Sequence, residues 1–371
     1  MLVLDETDKL LMIPGPTPVQ REILTALAQP TISHTSAAMA KIVRRAQDGI
    51  RQAAGSRDAT IFIFSGAGTL AQEAAVVNLV APGETLLVAS NGFFGDRFVP
   101  LAETYGIQVD HLAAPWGRSV TPDELDASMT GKNIRAVTIT QVETSTGVLA
   151  PTAELAAVAR RHGAMVIVDA VCALGGVETQ MDDWGIDVLL SGAQKALGVP
   201  PGLTILAVSA GAMDHRRSRD RIPSFYADLL NWEASMRDPQ VYFSTHAVNE
   251  FYALQTAVEI IAGEGLEARF ARHRRLAKTF RSGMEALGFS SLTEPDYLAP
   301  TMSVLAVPDG VDAAALITGL SARGVVAAGC LGEWKGRGLR FGHMGNITEA
   351  EVLQALGAVS DAVTEVFPAA V

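Results

Sequence analysis

The sequence predicts an α/β fold, with a large domain on a mainly parallel central sheet sandwiched by helices and a smaller C-terminal α+β domain. Between about residues 20 and 260, short apolar strands alternate with helical stretches, which is the pattern of a parallel sheet covered on both faces. From about residue 265 the pattern changes to a long charged amphipathic helix, short strands and a final helix. A chain of 371 residues is also long enough for more than one domain.

The elements are predicted in order from the apolar runs and the residues that interrupt them. Residues 1–20 are expected to form an extended N-terminal arm, because the prolines of Pro14–Pro18 fix φ and lack an N–H donor. Residues 21–264 are assigned to the large domain and residues 265–371 to the small one. The expected strands are 60–64, 85–89, 136–140, 165–169, 188–190, 204–208, 302–307, 325–328 and 339–342, and the clearest helices are 70–80, 151–161, 250–262 and 349–366.

Composition and charge argue against several classes of protein. The net charge is −11, and no block of Lys and Arg indicates a nucleic acid or an anionic membrane as partner. The densest basic segment, Arg272–Arg275, is expected to be a solvated helix face. Two cysteines cannot build a disulfide framework or a metal cluster, and no apolar run reaches the length of a membrane span. The acidic N-terminus is unlike a signal peptide, so we expect a cytoplasmic protein.

Lys195 and Asp169 are the residues that most strongly indicate a chemistry. Asp169 ends the strand 165–169, and Lys195 follows shortly after the strand 188–190. In open α/β sheets, ligands bind at the carboxyl ends of the strands. A pyridoxal phosphate (PLP) enzyme needs a lysine for the Schiff base and a carboxylate for the pyridine nitrogen. Either residue alone is usually a surface, turn or cap residue, so the inference depends on the segments that accompany them.

Four further segments fall at or near the ends of predicted strands. The Gly-rich turn Ser65–Thr69 opens a helix and suits a phosphate, and Asn91–Arg97 supplies an aromatic ring for stacking. The segment Gln141–Gly147 gathers hydroxyl groups, and the strand Leu339–Gly342 carries Arg340, which can clamp a carboxylate. Taken singly, each has an ordinary explanation: a tight turn, core Phe residues, turn chemistry or a surface salt bridge.

Together these motifs resemble the class V aminotransferases. The motifs are Ile13–Pro18, Ser65–Thr69 with Glu73, Asn91–Gly95, Glu143–Gly147, Val168–Val171, Ser191–Lys195 and Arg340–Gly345, in the right order over nearly the whole chain. The likeness is greatest to the alanine/serine–glyoxylate/pyruvate aminotransferases. It implies the fold-type I PLP-dependent transferase fold and a homodimer with shared active sites.

The resemblance also implies a role for each site residue. Lys195 would hold PLP as a Schiff base and Asp169 would pair with the ring nitrogen, and these two are the expected catalytic residues. The other implied cofactor-binding residues are Ala67, Gly68, Thr69 and Gln194 at the phosphate, Phe94 and Val171 on the ring faces, Thr144 at the ring side, and Tyr242 and Thr245 reaching the phosphate from the partner subunit. Arg340 and Gly15 would bind the substrate. From the residues alone, Thr245 equally suits a helix N-cap, and His343 a structural role.

The sequence departs from the family pattern at two positions. Phe94 stands where relatives often carry Trp or Tyr, and Ala67 where some members carry Ser. Backbone N–H groups still serve at Ala67, so we expect a modified but working phosphate site. The segments Asp309–Asp312 and Trp232–Glu233 also resemble pyridoxamine–pyruvate aminotransferase, but the loop Ser65–Ala67 lacks the discriminating Glu expected of that relative. Pyridoxamine–pyruvate or ureidoglycine–glyoxylate transamination is therefore the second hypothesis.

The predicted reaction is ping-pong transamination from alanine or serine to glyoxylate or pyruvate, with Lys195 as proton carrier. The residues leave donor and acceptor open, since alanine, serine, aspartate and ureidoglycine all place a carboxylate near an equivalent arginine. A rival is a cysteine desulfurase with Cys330 as nucleophile, although the flanking Gly332–Gly336 lacks the Ser/Ala-rich run expected of one. A non-enzymatic ligand-binding module is disfavoured because Lys195, Asp169 and Arg340 occur together.

Overall fold

The strands form one large sheet and two small ones within residues 8–366, the part of the chain that the computed structural model describes. In chain order they are β1 (Leu10–Leu11), β2 (Thr60–Ser65), β3 (Thr85–Ser90), β4 (Gln108–Ala113), β5 (Ala136–Thr140), β6 (Met165–Asp169), β7 (Val188–Gly192), β8 (Leu203–Val208), β9 (Ser290–Ser291), β10 (Met302–Ala306), β11 (Val325–Val326), β12 (Ala328–Gly329) and β13 (Gly338–Gly342). The large sheet has the order β2-β8-β7-β6-β5-β3-β4. β8 alone runs in the direction opposite to the other six strands of this sheet, so the predicted mainly parallel sheet is confirmed.

Helices connect the consecutive parallel strands of the large sheet, since parallel strands require long crossovers. In chain order they are α1 (Arg21–Leu27), α2 (Ala37–Ala53), α3 (Gly68–Leu79), α4 (Phe93–Asp96), α5 (Phe98–Thr104), α6 (Pro122–Met129), α7 (Thr152–Arg161), α8 (Met181–Trp184), α9 (Ala210–Arg217), α10 (Leu229–Arg237), α11 (Val248–Glu264), α12 (Leu266–Ala286), α13 (Ala313–Ala322) and α14 (Glu349–Val366). Among the helices of residues 8–366, none is long and apolar enough to cross a membrane.

The two faces of the large sheet bury alternate side chains of the same strands. In β2, Ile61 and Ile63 belong to one hydrophobic cluster, and Phe62 and Phe64 belong to another. This division follows because successive side chains of a strand point to opposite faces. The first cluster includes residues of α2, α7 and α11, and the second includes residues of α3, α5 and α10. Helices therefore cover both faces, and the strands between them are apolar on both sides.

The four-stranded sheet has the order β12-β13-β10-β9 and is antiparallel throughout. A third hydrophobic cluster joins this sheet to α12, α13 and α14. Leu10 and Met12 of the N-terminal arm are buried in the same cluster. The arm also adds β1, which pairs with β11 in parallel. The predicted segments 1–20, 21–264 and 265–371 stay a prediction, although the arm packs its first described strand onto elements of the last segment.

Three predictions about local structure were wrong. The single strand expected at 325–328 is two strands, because β11 pairs with the arm whereas β12 pairs with β13. Thr245 is not an N-cap, since α11 begins only at Val248 and Ala247 precedes it without a side-chain cap. The solvated helix face expected at Arg272–Arg275 is right for Arg274 and Arg275, which are exposed, but wrong for Arg272, which donates to Glu264 and to the carbonyl oxygens of Gly345 and Ile347.

Candidate active site

A cavity of about 240 Å³ opens at the carboxyl ends of the parallel strands. β5 and β6 end side by side, with Thr140 in register with Asp169. The loops after β2, β3, β5, β6 and β7 therefore converge on one edge of the sheet. The residues that line the cavity are Gly15, Pro16, Ala67, Gly68, Thr69, Gln72, Phe94, Arg97, Thr140, Val142, Thr144, Asp169, Val171, Gln194, Lys195 and Pro201. Ten of the residues predicted from the sequence are among them.

Lys195 lies in the turn after β7 and is held by the N-terminal arm. Its side chain is 9% exposed, and Nζ donates to the carbonyl oxygen of Pro14. The Thr17 hydroxyl donates to the carbonyl oxygen of Lys195 at 2.9 Å. Gly15 passes so close that a Cβ there would lie 2.8 Å from Nζ. The amine is thus confined between the large sheet and the arm, facing the cavity.

Asp169 is the last residue of β6 and lies at the bottom of the site, 4% exposed. The hydrogen bonds that it accepts within residues 8–366 come from neutral groups: the Val171 N–H at 2.9 Å and the Gln72 amide at 2.7 Å. Burial raises the pKa of Asp169, while these hydrogen bonds and the charges of Lys195 and Arg97 oppose that rise. A buried carboxylate with only neutral hydrogen-bond donors suits a ligand that brings its own N–H⁺ group.

The first turn of α3 forms the wall where a phosphate is expected. α3 begins at Gly68, two residues before the predicted start, and Ala67 precedes it without a side-chain cap. The N–H groups of a helix's first turn lack intrahelical partners and carry the positive end of the helix dipole. In the same wall of the cavity, the buried Oε1 atom of Gln194 has no hydrogen-bond partner within the described residues. The missing Ser at Ala67 therefore leaves the backbone donors in place.

Phe94 is fixed by a buried carboxylate that the sequence analysis did not single out. Glu143 is fully buried and accepts from the backbone N–H groups of Phe94 at 3.1 Å and Gly95 at 2.9 Å, and from the Ser145 hydroxyl at 2.8 Å. Burial raises the pKa of Glu143, whereas these hydrogen bonds lower it. Arg97 lies over the Phe94 ring at 4.7 Å. Arg97 is a further cavity residue that was not predicted. The sequence signal for it is its position three residues after Phe94, at the start of a helix.

Three predicted site residues lie outside this cavity. Arg340 is half-buried and donates from Nη1 to the carbonyl oxygen of Thr144, a cavity residue, at 3.2 Å and from Nε to Gly329 at 2.9 Å. Tyr242 and Thr245 are exposed and do not line the cavity of their own chain. Their predicted contribution to the phosphate of a partner subunit stays a prediction.

His343 and Glu73, two further residues of the family motifs, make structural contacts away from the cavity. His343 is fully buried and lies 2.9 Å from the Ser303 hydroxyl, and burial lowers its pKa. Glu73, which accompanies Ser65–Thr69 in the motif that resembles the family, accepts a hydrogen bond from the Tyr105 hydroxyl. Neither side chain lines the cavity described above.

Comparisons with known proteins identify one family and several relatives that match over most of the chain. Residues 19–333 match the family described as "Aminotransferase class-V". The chain is 36% identical over 361 residues to "Soluble hydrogenase, small subunit" of Synechococcus sp. (strain PCC 6716), covering 96% of this chain and 93% of that one. It is 33% identical over 356 residues to L-aspartate–glyoxylate aminotransferase of Paracoccus denitrificans (strain Pd 1222), covering 93% and 89%. The crystal structure of alanine–glyoxylate aminotransferase from Nostoc sp. has a TM-score of 0.93 at 30% identity, covering 96% and 95%.

Proposed function

This chain belongs to the class V aminotransferases, which are PLP-dependent, and we propose that it transfers an amino group from alanine or serine to glyoxylate or pyruvate by a ping-pong mechanism. Its fold is that of the fold-type I PLP-dependent transferases. The observation that carries the proposal is that Lys195 and Asp169 line one cavity at the carboxyl edge of the sheet. The arrangement suits a reaction in which a lysine acts at one side of a ring and a carboxylate at its nitrogen.

The residues of the cavity fit PLP. The buried Asp169 carboxylate, with neutral hydrogen-bond donors only, offers its negative charge to a protonated ring nitrogen. The open first turn of α3 offers backbone N–H groups to a phosphate monoester, and the Gln194 side-chain amide, whose buried oxygen has no partner among the described residues, lies in the same wall of the cavity. Lys195 presents a primary amine between them, and Phe94 and Val171 supply apolar surface for a flat ring.

Each residue then has a chemical task. PLP, when bound, supplies an electron sink for the charge that develops at the substrate Cα. Lys195 Nζ would take the proton from the substrate Cα as general base and then give it, as general acid, to the cofactor carbon bonded to the amino nitrogen, and its confinement by the arm keeps it on one face. Asp169 keeps the ring nitrogen protonated through its negative charge. Arg340 has five N–H donors, of which two are used within the described residues, so the remaining ones can bind the substrate carboxylate.

The desulfurase rival with Cys330 is disfavoured by the surroundings of the thiol. Cys330 is 5% exposed, and its backbone N–H donates to Gly338 at the sheet edge. Burial raises the pKa of Cys330 to about 11, although the charges of Arg340 and Arg337 lower it. Because the thiolate is the nucleophile, a buried thiol that stays protonated at neutral pH is poorly suited to attack sulfur.

We propose further that the active protein is a homodimer with shared sites. Phe225 is 76% exposed and Tyr242 is 63% exposed, and large aromatic side chains in contact with water are typical of surfaces that a partner covers. Tyr242 and Thr245 lie away from the cavity of their own chain, which is consistent with a role in a neighbouring one. Mass measurement in solution tests this, and a monomer with full activity would contradict it.

The test of the proposed reaction separates its two halves. The visible absorbance of the purified holoprotein is followed after single additions of alanine, serine, aspartate, pyridoxamine or cysteine. Loss of the band with alanine or serine, and its return with glyoxylate or pyruvate, supports the proposal; a response to pyridoxamine alone supports the second hypothesis. Lys195→Ala is expected to abolish turnover because no other amine lines the cavity among the described residues. Near-normal activity in that variant would refute the assignment.

A further inference from the structure

Gln72 is a buried amide that contacts the site without having been assigned a role. It lies in α3, four residues after Gly68, and is 2% exposed. Its Nε2 donates to Asp169 Oδ2 at 2.7 Å and, at the longer distance of 3.3 Å, to the carbonyl oxygen of Phe94. One amide group thus contacts both the carboxylate of β6 and the turn that carries the aromatic ring.

The geometry of Asp169 depends on this amide. Val171 donates its N–H to Oδ1 at 2.9 Å, and Gln72 donates to Oδ2. With one donor on each oxygen, the plane of the carboxylate is fixed, and each oxygen keeps further lone-pair capacity for a ligand. Both donors favour the charged form of the carboxylate, which is the form that holds a protonated ring nitrogen.

Burying the Gln72 side chain costs more free energy than burying an apolar side chain of the same length would cost. Its Oε1 is buried and has no hydrogen-bond partner within the described residues. An unpaired buried acceptor carries a desolvation penalty that an apolar side chain of the same length would avoid. The hydrogen bonds that Nε2 donates must therefore explain why a glutamine occupies this position.

We propose that Gln72 is a positioning residue that holds Asp169 ionised and oriented toward the ring nitrogen of PLP. The proposal rests on the PLP-dependent function above and adds a residue to it. Gln72 acts through Asp169 and not on the cofactor directly. Its contribution to cofactor affinity therefore exists only for a ligand that has the ring nitrogen.

The test compares two ligands in the full chain freed of cofactor. Dissociation constants are measured for PLP and for its 1-deaza analogue, in which a carbon atom replaces the ring nitrogen. Gln72→Met removes the donor and keeps the length of the side chain. Loss of a hydrogen bond to a charged group is expected to weaken PLP binding about 10-fold. The analogue should bind wild type and variant almost equally.

Two controls keep the result interpretable. Gln47 is also buried and also donates two amide N–H groups, here to the carbonyl oxygens of Ile61 and Met236, away from the cavity. Gln47→Met should lower Tm without changing either dissociation constant. If Gln72→Met fails to fold, Gln72→Asn retains an amide but is one methylene too short to reach Asp169, and the same PLP-specific loss is expected. Equal weakening of both ligands, or no weakening of PLP, would overturn the proposal. Failure of wild type to bind PLP would instead count against the proposed function.

Discussion

Gly15 is the position where a single methyl group tests the arrangement of the active site most directly. Its φ is +113°, a backbone conformation that L side chains rarely adopt. A Cβ on Gly15 would lie 2.7 Å from Cε and 2.8 Å from Nζ of Lys195. Real Cβ atoms essentially never approach other heavy atoms within 3.0 Å. Gly15→Ala therefore forces either the arm or the amine of Lys195 to move.

The size of the displacement sets the expected effect. Ordinary contact begins at 3.4 Å, so Nζ and the added Cβ have to move apart by 3.4 − 2.8 = 0.6 Å to reach it, and the closer methylene groups by more. A displacement of about 1 Å at a reacting group can cost about 100-fold in rate. Strain at a positive φ destabilises the fold by about 1–3 kcal/mol, which lowers Tm only by a few degrees in a chain of this length. We expect kcat to fall about 100-fold in a protein that remains folded.

The assay pairs steady-state kcat with the visible absorbance of the holoprotein and with Tm. Gly83→Ala is the matched control, because Gly83 has φ +83° and no atom lies within 4 Å of its added Cβ. That variant carries the backbone strain without the clash, so its Tm should fall while kcat stays at the wild-type value. Wild-type turnover in Gly15→Ala, or an equal fall in both variants, would refute the reasoning.

Two further predictions concern Arg340 and the pH dependence of stability. Arg340→Lys keeps the charge but loses the planar fork, so KM for the amino donor should rise about 10-fold with the visible band intact, and an unchanged KM would remove Arg340 from the substrate site. Burial raises the pKa of Glu264, but hydrogen bonds from Arg272 and Arg269 outweigh it and bring the pKa from 4.5 to about 2. A lowered pKa stabilises the fold above the unfolded value of 4.5, and this contribution is lost as the pH falls toward 2. The Tm difference between wild type and Glu264→Gln should therefore be largest at neutral pH and shrink below about pH 5; a difference independent of pH would contradict the assignment.

Most residues of the cavity were predictable from the sequence, because the carboxyl ends of parallel strands lie at the same edge of a sheet. Asp169 and Lys195 were expected there from the apolar runs, since Asp169 ends one of the parallel strands and Lys195 follows shortly after the next. Gly68 and Thr69 followed from the same rule applied to β2. For these residues a local pattern fixes a three-dimensional position, and the structure brings them together.

Residues whose position depends on side-chain reach were not predictable in this way. The sequence does not single out Gln72, although it lies four residues after Gly68 and hence on the same helix face, because a helical glutamine is usually solvent-exposed. In the sequence, Glu143 stands out only as part of a hydroxyl-rich segment. Its role depends on the backbone N–H groups of Phe94 and Gly95, which come from another strand end. The strand expected at 325–328 was wrong for a similar reason, since its two halves pair with segments distant in sequence.

The N-terminal arm brings together two Gly-containing motifs from opposite ends of the chain, Ile13–Pro18 and Arg340–Gly345. The Gly342 N–H donates to the Met12 carbonyl at 2.6 Å, two residues from Arg340 on the same strand. A Cβ on Gly342 would lie 2.9 Å from Cα of Pro14, so the strand can approach the arm only without a side chain there. Pro14, whose carbonyl oxygen accepts a hydrogen bond from the Lys195 amine, comes two residues after Met12 in the arm. The proposed carboxylate clamp and the proposed proton carrier are therefore placed relative to each other by the arm, and small residues are needed on both of its sides.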